Sequence, residues 1–122
     1  MEPKQFATLG ECLADFQHTF NNHARVKKLI NNWNRAIVVE ATDSAVVATM
    51  VVENLVMTGV KEGAHADRDY PIHLQAAEPT LIRIFSGQYN PAHALIEGEL
   101  AVFSSEKDKV KLEAITMVIW GL

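Results

Sequence analysis

Asp69-Tyr70-Pro71-Ile72-His73-Leu74-Gln75-Ala76, then Leu81-Ile82-Arg83-Ile84-Phe85-Ser86-Gly87-Gln88-Tyr89-Asn90-Pro91, then Leu95-Ile96-Glu97-Gly98-Glu99-Leu100-Ala101-Val102: the reading of these three segments decides the fold. The first alternates, which puts Tyr70, Ile72, Leu74 and Ala76 on one face of a strand and His73 and Gln75 on the other. Glu78-Pro79 then starts a helix, since proline is tolerated in a first turn whose N–H groups have no intrahelical partner. Leu81, Ile82, Ile84 and Phe85 give that helix a broad apolar face, and Gly87 ends it. Asn90-Pro91 repeats the device, a capping side chain followed by a residue with its φ pre-set, and launches a turn through Ala92, Ala94 and Leu95. The third segment reads as a last strand in which Ile96, Gly98, Leu100 and Val102 alternate with Glu97, Glu99, Ala101 and Phe103.

Upstream, Thr8-Leu9-Gly10-Glu11 has capping-box spacing. Leu9, Cys12, Leu13, Phe16 and Phe20 recur three and four residues apart on one helical face. The periodicity predicts that this helix continues past Ala24 and Val26 to Ile30, with Asn31-Asn32 as its stop. Arg35 to Ala41 and Ala45 to Val52 are β-rich runs on either side of Thr42-Asp43-Ser44, a hairpin signature. Leu55 to Val60 follows as a third strand of an antiparallel meander, and Lys61 to Asp69 reads as a polar loop containing Gly63. Downstream, a final helix starts near Ser105, with Asp108 three residues on. Its first turns are charged, but no charged residue occurs from Ala114 to Leu122. A helix end that is apolar on every side lies between two apolar surfaces, reaches a partner or lines a cavity.

The 122 residues suit one domain, and 48% apolar against 21% charged residues is the balance of a soluble globular protein. A domain of this length sustains its own core without metal or disulfide. One cysteine, Cys12, makes no internal disulfide, so a reducing, cytoplasmic setting is expected. No apolar run is long enough to span a membrane, Met1 to Lys4 does not open a signal peptide, and the ending Trp120-Gly121-Leu122 lacks a peroxisomal address. Net charge is −4 and no basic stripe is interleaved with aromatics, which argues against nucleic acid as a partner.

Polar chemistry finds little support in the spacing. His18 and His23 are too far around a helix to share a ligand, and His65, His73 and His93 have no zinc spacing, so no metal is expected. His65-Ala66-Asp67-Arg68-Asp69 reads as a solvated loop rather than a cation site. There is no nucleophile elbow, and Ser86, Ser104 and Ser105 sit at helix ends where capping explains them. Gly59 and Gly63 form no phosphate loop. Asp69 and Tyr70 suggest carboxylate-and-phenol isomerase chemistry, but neighbours on a strand point to opposite faces, so no catalytic residue is assigned. Arg25, Lys27, Lys28 and Arg35 form the concentrated basic region, placed to touch lipid phosphates or, more commonly, to complement a helix C-terminus. Phe16, Phe20, Leu81, Phe85, Ile115, Ile119 and Trp120 serve equally as core or as the wall of a cavity, and periodicity by itself favours core.

The order of elements quoted at the outset, closed by a last helix, resembles the lipid-binding domain of the sterol carrier protein type 2 family. It has the strand, the helix ending at glycine, the Asn-Pro start and the strand with a central glycine. The resemblance runs from about Val26 to the end. It implies an α+β fold: one domain over residues 1–122 with a five-stranded, mainly antiparallel sheet, helices on one face and a C-terminal lid helix. It further implies a tunnel between sheet and helices that takes a hydrophobic ligand without catalysis and without a cofactor. Phe16, Phe20, Leu74, Leu81, Phe85, Leu100, Ile115, Ile119 and Trp120 would line it, with Trp120 at its mouth. The implied ligand is a fatty acyl, sterol-like or isoprenoid lipid, handed to a lipid-metabolism enzyme or a membrane. Where relatives often carry lysines beside the strand glycine this chain has Glu97 and Glu99, which limits membrane contact to transient encounters. The alternative is an accessory interaction module for lipid or quinone metabolism, its cavity filled by side chains and its apolar C-terminus docking a partner or a second copy.

Overall fold

A computed structural model describes residues 6–62 and 71–121. The sheet is built from β1 (Arg35–Ala41), β2 (Val47–Glu53), β3 (Val56–Glu62), β4 (Pro71–Ala76) and β5 (Ala101–Phe103), in the spatial order β3-β2-β1-β4-β5. β1, β2 and β3 form the expected meander, with Ile37 opposite Met50 and Val39 opposite Ala48. β4 lies parallel to β1, pairing Ile72 with Ile37 and Leu74 with Val39, and β5 is antiparallel to β4. The sheet is therefore mixed, with one parallel pair. Period-two alternation puts Ile37, Val39, Met50, Val52, Ile72, Leu74 and Ala76 into one buried cluster. On the opposite face the Glu40 carboxylate accepts from Gln75 Nε2 at 2.9 Å and lies 3.1 Å from His73 Nε2.

The helices are α1 (Leu9–Asn21), α2 (Ala24–Leu29), α3 (Glu78–Phe85), α4 (Pro91–Ile96) and α5 (Glu106–Trp120). Thr8 caps α1 by accepting the Glu11 N–H, and Leu9, Cys12, Leu13, Phe16 and Phe20 are its buried face. The single helix expected to reach Ile30 is broken in two. Asn22 folds its Nδ2 back onto the His18 carbonyl at 2.8 Å, and His23, extended at φ −105°, opens α2. An asparagine side chain that competes for a helix carbonyl stops propagation where apolar spacing alone would continue it. α1 also holds the sheet. Asn21 donates to the Met57 carbonyl at 2.9 Å and accepts the Met57 N–H at 2.7 Å, next to the register shift between Val51 and Val52.

α3 and α4 both end in Schellman motifs. After α3, Gln88 N–H reaches the Arg83 carbonyl and Gly87 N–H the Ile84 carbonyl; after α4, Glu99 reaches Ala94 and Gly98 reaches Leu95. Gly87 and Gly98 take the required positive φ, 81° and 75°. The expected strand from Ile96 through Gly98 is thereby overturned: Gly98 is a helix stop, Ile96 is the last helical residue, and β5 shrinks to Ala101–Phe103. β4 is described from Pro71, and Gly63, His65, Asp69 and Tyr70 lie outside the described residues.

α5 starts as its sequence predicts, with Ser105 accepting the Asp108 N–H. The Asp108 carboxylate then accepts from Trp33 Nε1 at 2.8 Å and from Arg35 Nε at 3.0 Å, and Lys111 donates to the Leu29 carbonyl at 2.7 Å. These bonds pin the first turns of α5 to β1 and α2. At the other end Trp120 packs on Phe16 and Phe85, ring centroids 5.5 and 6.5 Å away.

Candidate functional site

Between the sheet and its helices the core is not filled. A cavity of about 270 Å³ remains. Its floor is Ile37 of β1, Met50 of β2, Leu74 of β4 and Val102 of β5, joined by Leu100. Phe16 and Phe20 of α1 and Leu81, Ile84 and Phe85 of α3 form the walls, and α5 covers it with Leu112, Ile115, Thr116 and Trp120. The exposed residues of the lining mark the opening: Ala92 and Leu95 on α4, Glu113 and Met117 on α5. Each wall follows from its element's period, strands offering every second residue and helices every third or fourth.

Polar atoms are few and gather on the α4 and α5 side. Asn90 uses its Oδ1 to cap α4 by accepting the Ala92 N–H at 2.8 Å, and Thr116 spends its hydroxyl on the Glu113 carbonyl of its own helix. Lys109 is half-buried, its Nζ 3.5 Å from the exposed Glu106 carboxylate. Cys12 is enclosed, its thiol pushed up to about 11 by burial and by nearby Asp15, so it stays protonated and unreactive at neutral pH. Tyr89 ionises above its ordinary range through desolvation and then through the charge and hydrogen bond of Glu99, while Arg83 stacks over its ring at 4.6 Å. Among the described residues no three His, Cys, Asp or Glu side chains come together as a metal site, and no helix is long and apolar enough to cross a membrane.

Eight of the nine residues expected to line a tunnel border this cavity: Phe16, Phe20, Leu74, Leu81, Phe85, Leu100, Ile115 and Trp120. Ile119 does not. It packs, half-buried, against the core beside the cavity. Trp120 lies in the aromatic group with Phe16 and Phe85, half-buried, rather than among the exposed residues of the opening. Sequence reasoning passed over the strand residues Ile37 and Met50, and it passed over Leu95, Leu112 and Lys109. Leu112 was legible in principle, since it stands three residues before Ile115 and so near its face of α5, whereas Lys109, six residues before, lies about 120° around the helix. The basic group is divided as well. Arg35 turns inward to Asp108 and Lys27 donates to the Leu55 carbonyl at 3.1 Å, which leaves Arg25 and Lys28 as its exposed members.

No family model and no curated protein matches this sequence. Solved structures do. The sterol carrier protein domain 2 of Helicoverpa armigera superposes with a TM-score of 0.66 at 11% identity, over 100% of this chain and 97% of that one. Palmitated SCP2L2 from Aedes aegypti gives a TM-score of 0.59 at 9% identity, over 89% of this chain and 94% of that one. The stereoselective inverting sec-alkylsulfatase Pisa1 from Pseudomonas sp. matches 76% of this chain at 16% identity and a TM-score of 0.58, but the match spans only 14% of the sulfatase. Identities this low carry architecture and no residue roles. With its mixed five-stranded sheet, its helices packed over one face and its closing α5, this chain has the sterol carrier protein type 2 fold.

Proposed function

We propose that this protein binds a hydrophobic molecule non-covalently in the cavity under α5, that the ligand is a single fatty acyl chain, and that the protein carries it to an enzyme or membrane. The unfilled apolar space carries the reading. Apolar side chains that face unfilled space forgo the contacts a packed core would give them, so about 270 Å³ left open costs stability. A chain that keeps such a void keeps it for an occupant. The volume lies just below the roughly 300–1,000 Å³ of ligand clefts, which suits one flexible chain better than a rigid fused-ring system. The palmitated state of the Aedes aegypti neighbour supports the same ligand class. Burial contributes roughly 25 cal/mol per Å² of apolar surface removed from water, so affinity needs few polar contacts and selectivity rests on shape.

Native mass spectrometry of the freshly purified protein should show an added mass equal to a fatty acid. After delipidation a fluorescent fatty acid should bind, and Leu112→Trp, which fills the cavity from a half-buried position, should weaken it by about tenfold or more. Wild-type uptake by a folded Leu112→Trp protein would remove the cavity as the site. Absence of both bound lipid and uptake would leave the fold as an interaction module.

A further inference from the structure

The lining is polarised, and this sets the direction in which an amphiphile enters. Phe20, Ile37 and Met50 close the inner end, all of them buried, whereas the charged residues of the lining, Lys109 and Glu113, stand on one helix beside the exposed opening. A carboxylate drawn to the inner end would lose its hydration with no donor to replace it. At the opening it stays partly hydrated. Among the described residues Lys109 is the one cation in the lining, and Asn90, in the same lining at the start of α4, keeps its Nδ2 donors while its Oδ1 caps α4. The ammonium is held, among the described residues, by Glu106 alone, at 3.5 Å, and the Glu106 side chain is 89% exposed, so that pair contributes little and is readily exchanged. Glu113 lies one turn from Lys109 and is exposed; it would repel an anion but can turn into solvent.

We propose that Lys109 and Asn90 form a headgroup subsite for an anionic single-chain lipid, which enters tail first and leaves its carboxylate between α4 and α5. Lys109 supplies a compact charge with three donors, and Asn90 supplies the amide N–H that fixes the second oxygen. The subsite rests on the binding function proposed above and adds the ligand's charge and orientation. With it, a cavity with almost no polar lining would discriminate among lipids of equal length: the chain sets affinity and the head sets preference.

The test uses three twelve-carbon probes, dodecanoate, dodecanol and dodecylamine, competed at pH 8 against the neutral dye Nile red on delipidated protein. Wild type should prefer the acid. Lys109→Gln should weaken dodecanoate by about fivefold, the scale of one partly exposed charge-assisted hydrogen bond, and leave dodecanol within about twofold. Lys109→Arg should retain the preference, and added salt should erode it in wild type but not in Lys109→Gln. Equal losses for acid and alcohol, no loss for either, or a wild-type preference for the amine would overturn the headgroup assignment and leave acyl binding standing. Failure of all three probes to displace the dye from wild type would overturn both.

Discussion

Asp108 is the residue on which the position of α5 depends. Its side chain is 10% exposed, and burial alone would raise its pKa. Hydrogen bonds from Arg35 and Trp33, the Arg35 charge and a side-chain hydrogen bond from the Ser105 hydroxyl outweigh that and hold the carboxyl below its ordinary 3.8. A folded pKa below the unfolded one means that ionised Asp108 stabilises the fold. That contribution is complete above about pH 5 and is lost as pH falls through 3.8 toward the lower folded value. Asp108→Asn should therefore lower the unfolding free energy at pH 7 by about 2 kcal/mol, because Arg35 is left facing a neutral amide at a half-buried site. Urea titrations at pH 7 and at pH 3 should show the gap between wild type and variant narrowing in acid. A gap independent of pH would assign the loss to packing instead of charge.

At the scale of elements, the two Schellman glycines make a matched pair with different surroundings. Both have positive φ, but a Cβ on Gly87 would come within 2.8 Å of Trp120 Cδ1, whereas one on Gly98 would meet nothing within 4 Å. Gly98→Ala should cost about 1 kcal/mol for its backbone alone, and Gly87→Ala about 2–3 kcal/mol, because the indole must also move. Urea unfolding measures the difference, and hydrogen exchange should show the last turn of α5 opening only in Gly87→Ala. The same motifs show where sequence reading succeeds and fails. Asn90-Pro91 and Ser105 declared their helix starts correctly, because caps are local chemistry. Gly98 was misread as a strand residue because Ile96, Leu100 and Val102 kept an alternating pattern through the turn. Ile96, 83% exposed at the helix end, shows that the pattern was accidental. The break between α1 and α2 hid behind unbroken apolar spacing, since it depends on where one Asn22 amide points.

For the whole molecule, the legible part was the set of greasy faces and the illegible part was the space between them. Phe16, Phe85 and Ile115 were identifiable as inward-facing from their spacing, but the same spacing describes a filled core, and only the distance between sheet and α5 separates the two. The void belongs to the assembly and to no single element. Its energetic consequence is testable on the intact protein. An occupant binds the folded state and has no counterpart in the unfolded chain, so saturation at 100 times Kd should add about 2.7 kcal/mol to the unfolding free energy. In a chain of this size that corresponds to a rise in Tm of roughly 6–15 °C on adding dodecanoate to delipidated protein, read by scanning calorimetry. At one fixed ligand concentration across a series of acids, the gain should instead rise with chain length up to the point where the cavity is full and then level off, because further methylenes would remain in water. The added exchange protection should concentrate in α3 and α5, the walls that close on the ligand, and spare the β1–β2 ladder. Stabilisation spread evenly over the sheet, or independent of chain length, would mean that the lipid binds somewhere other than this cavity.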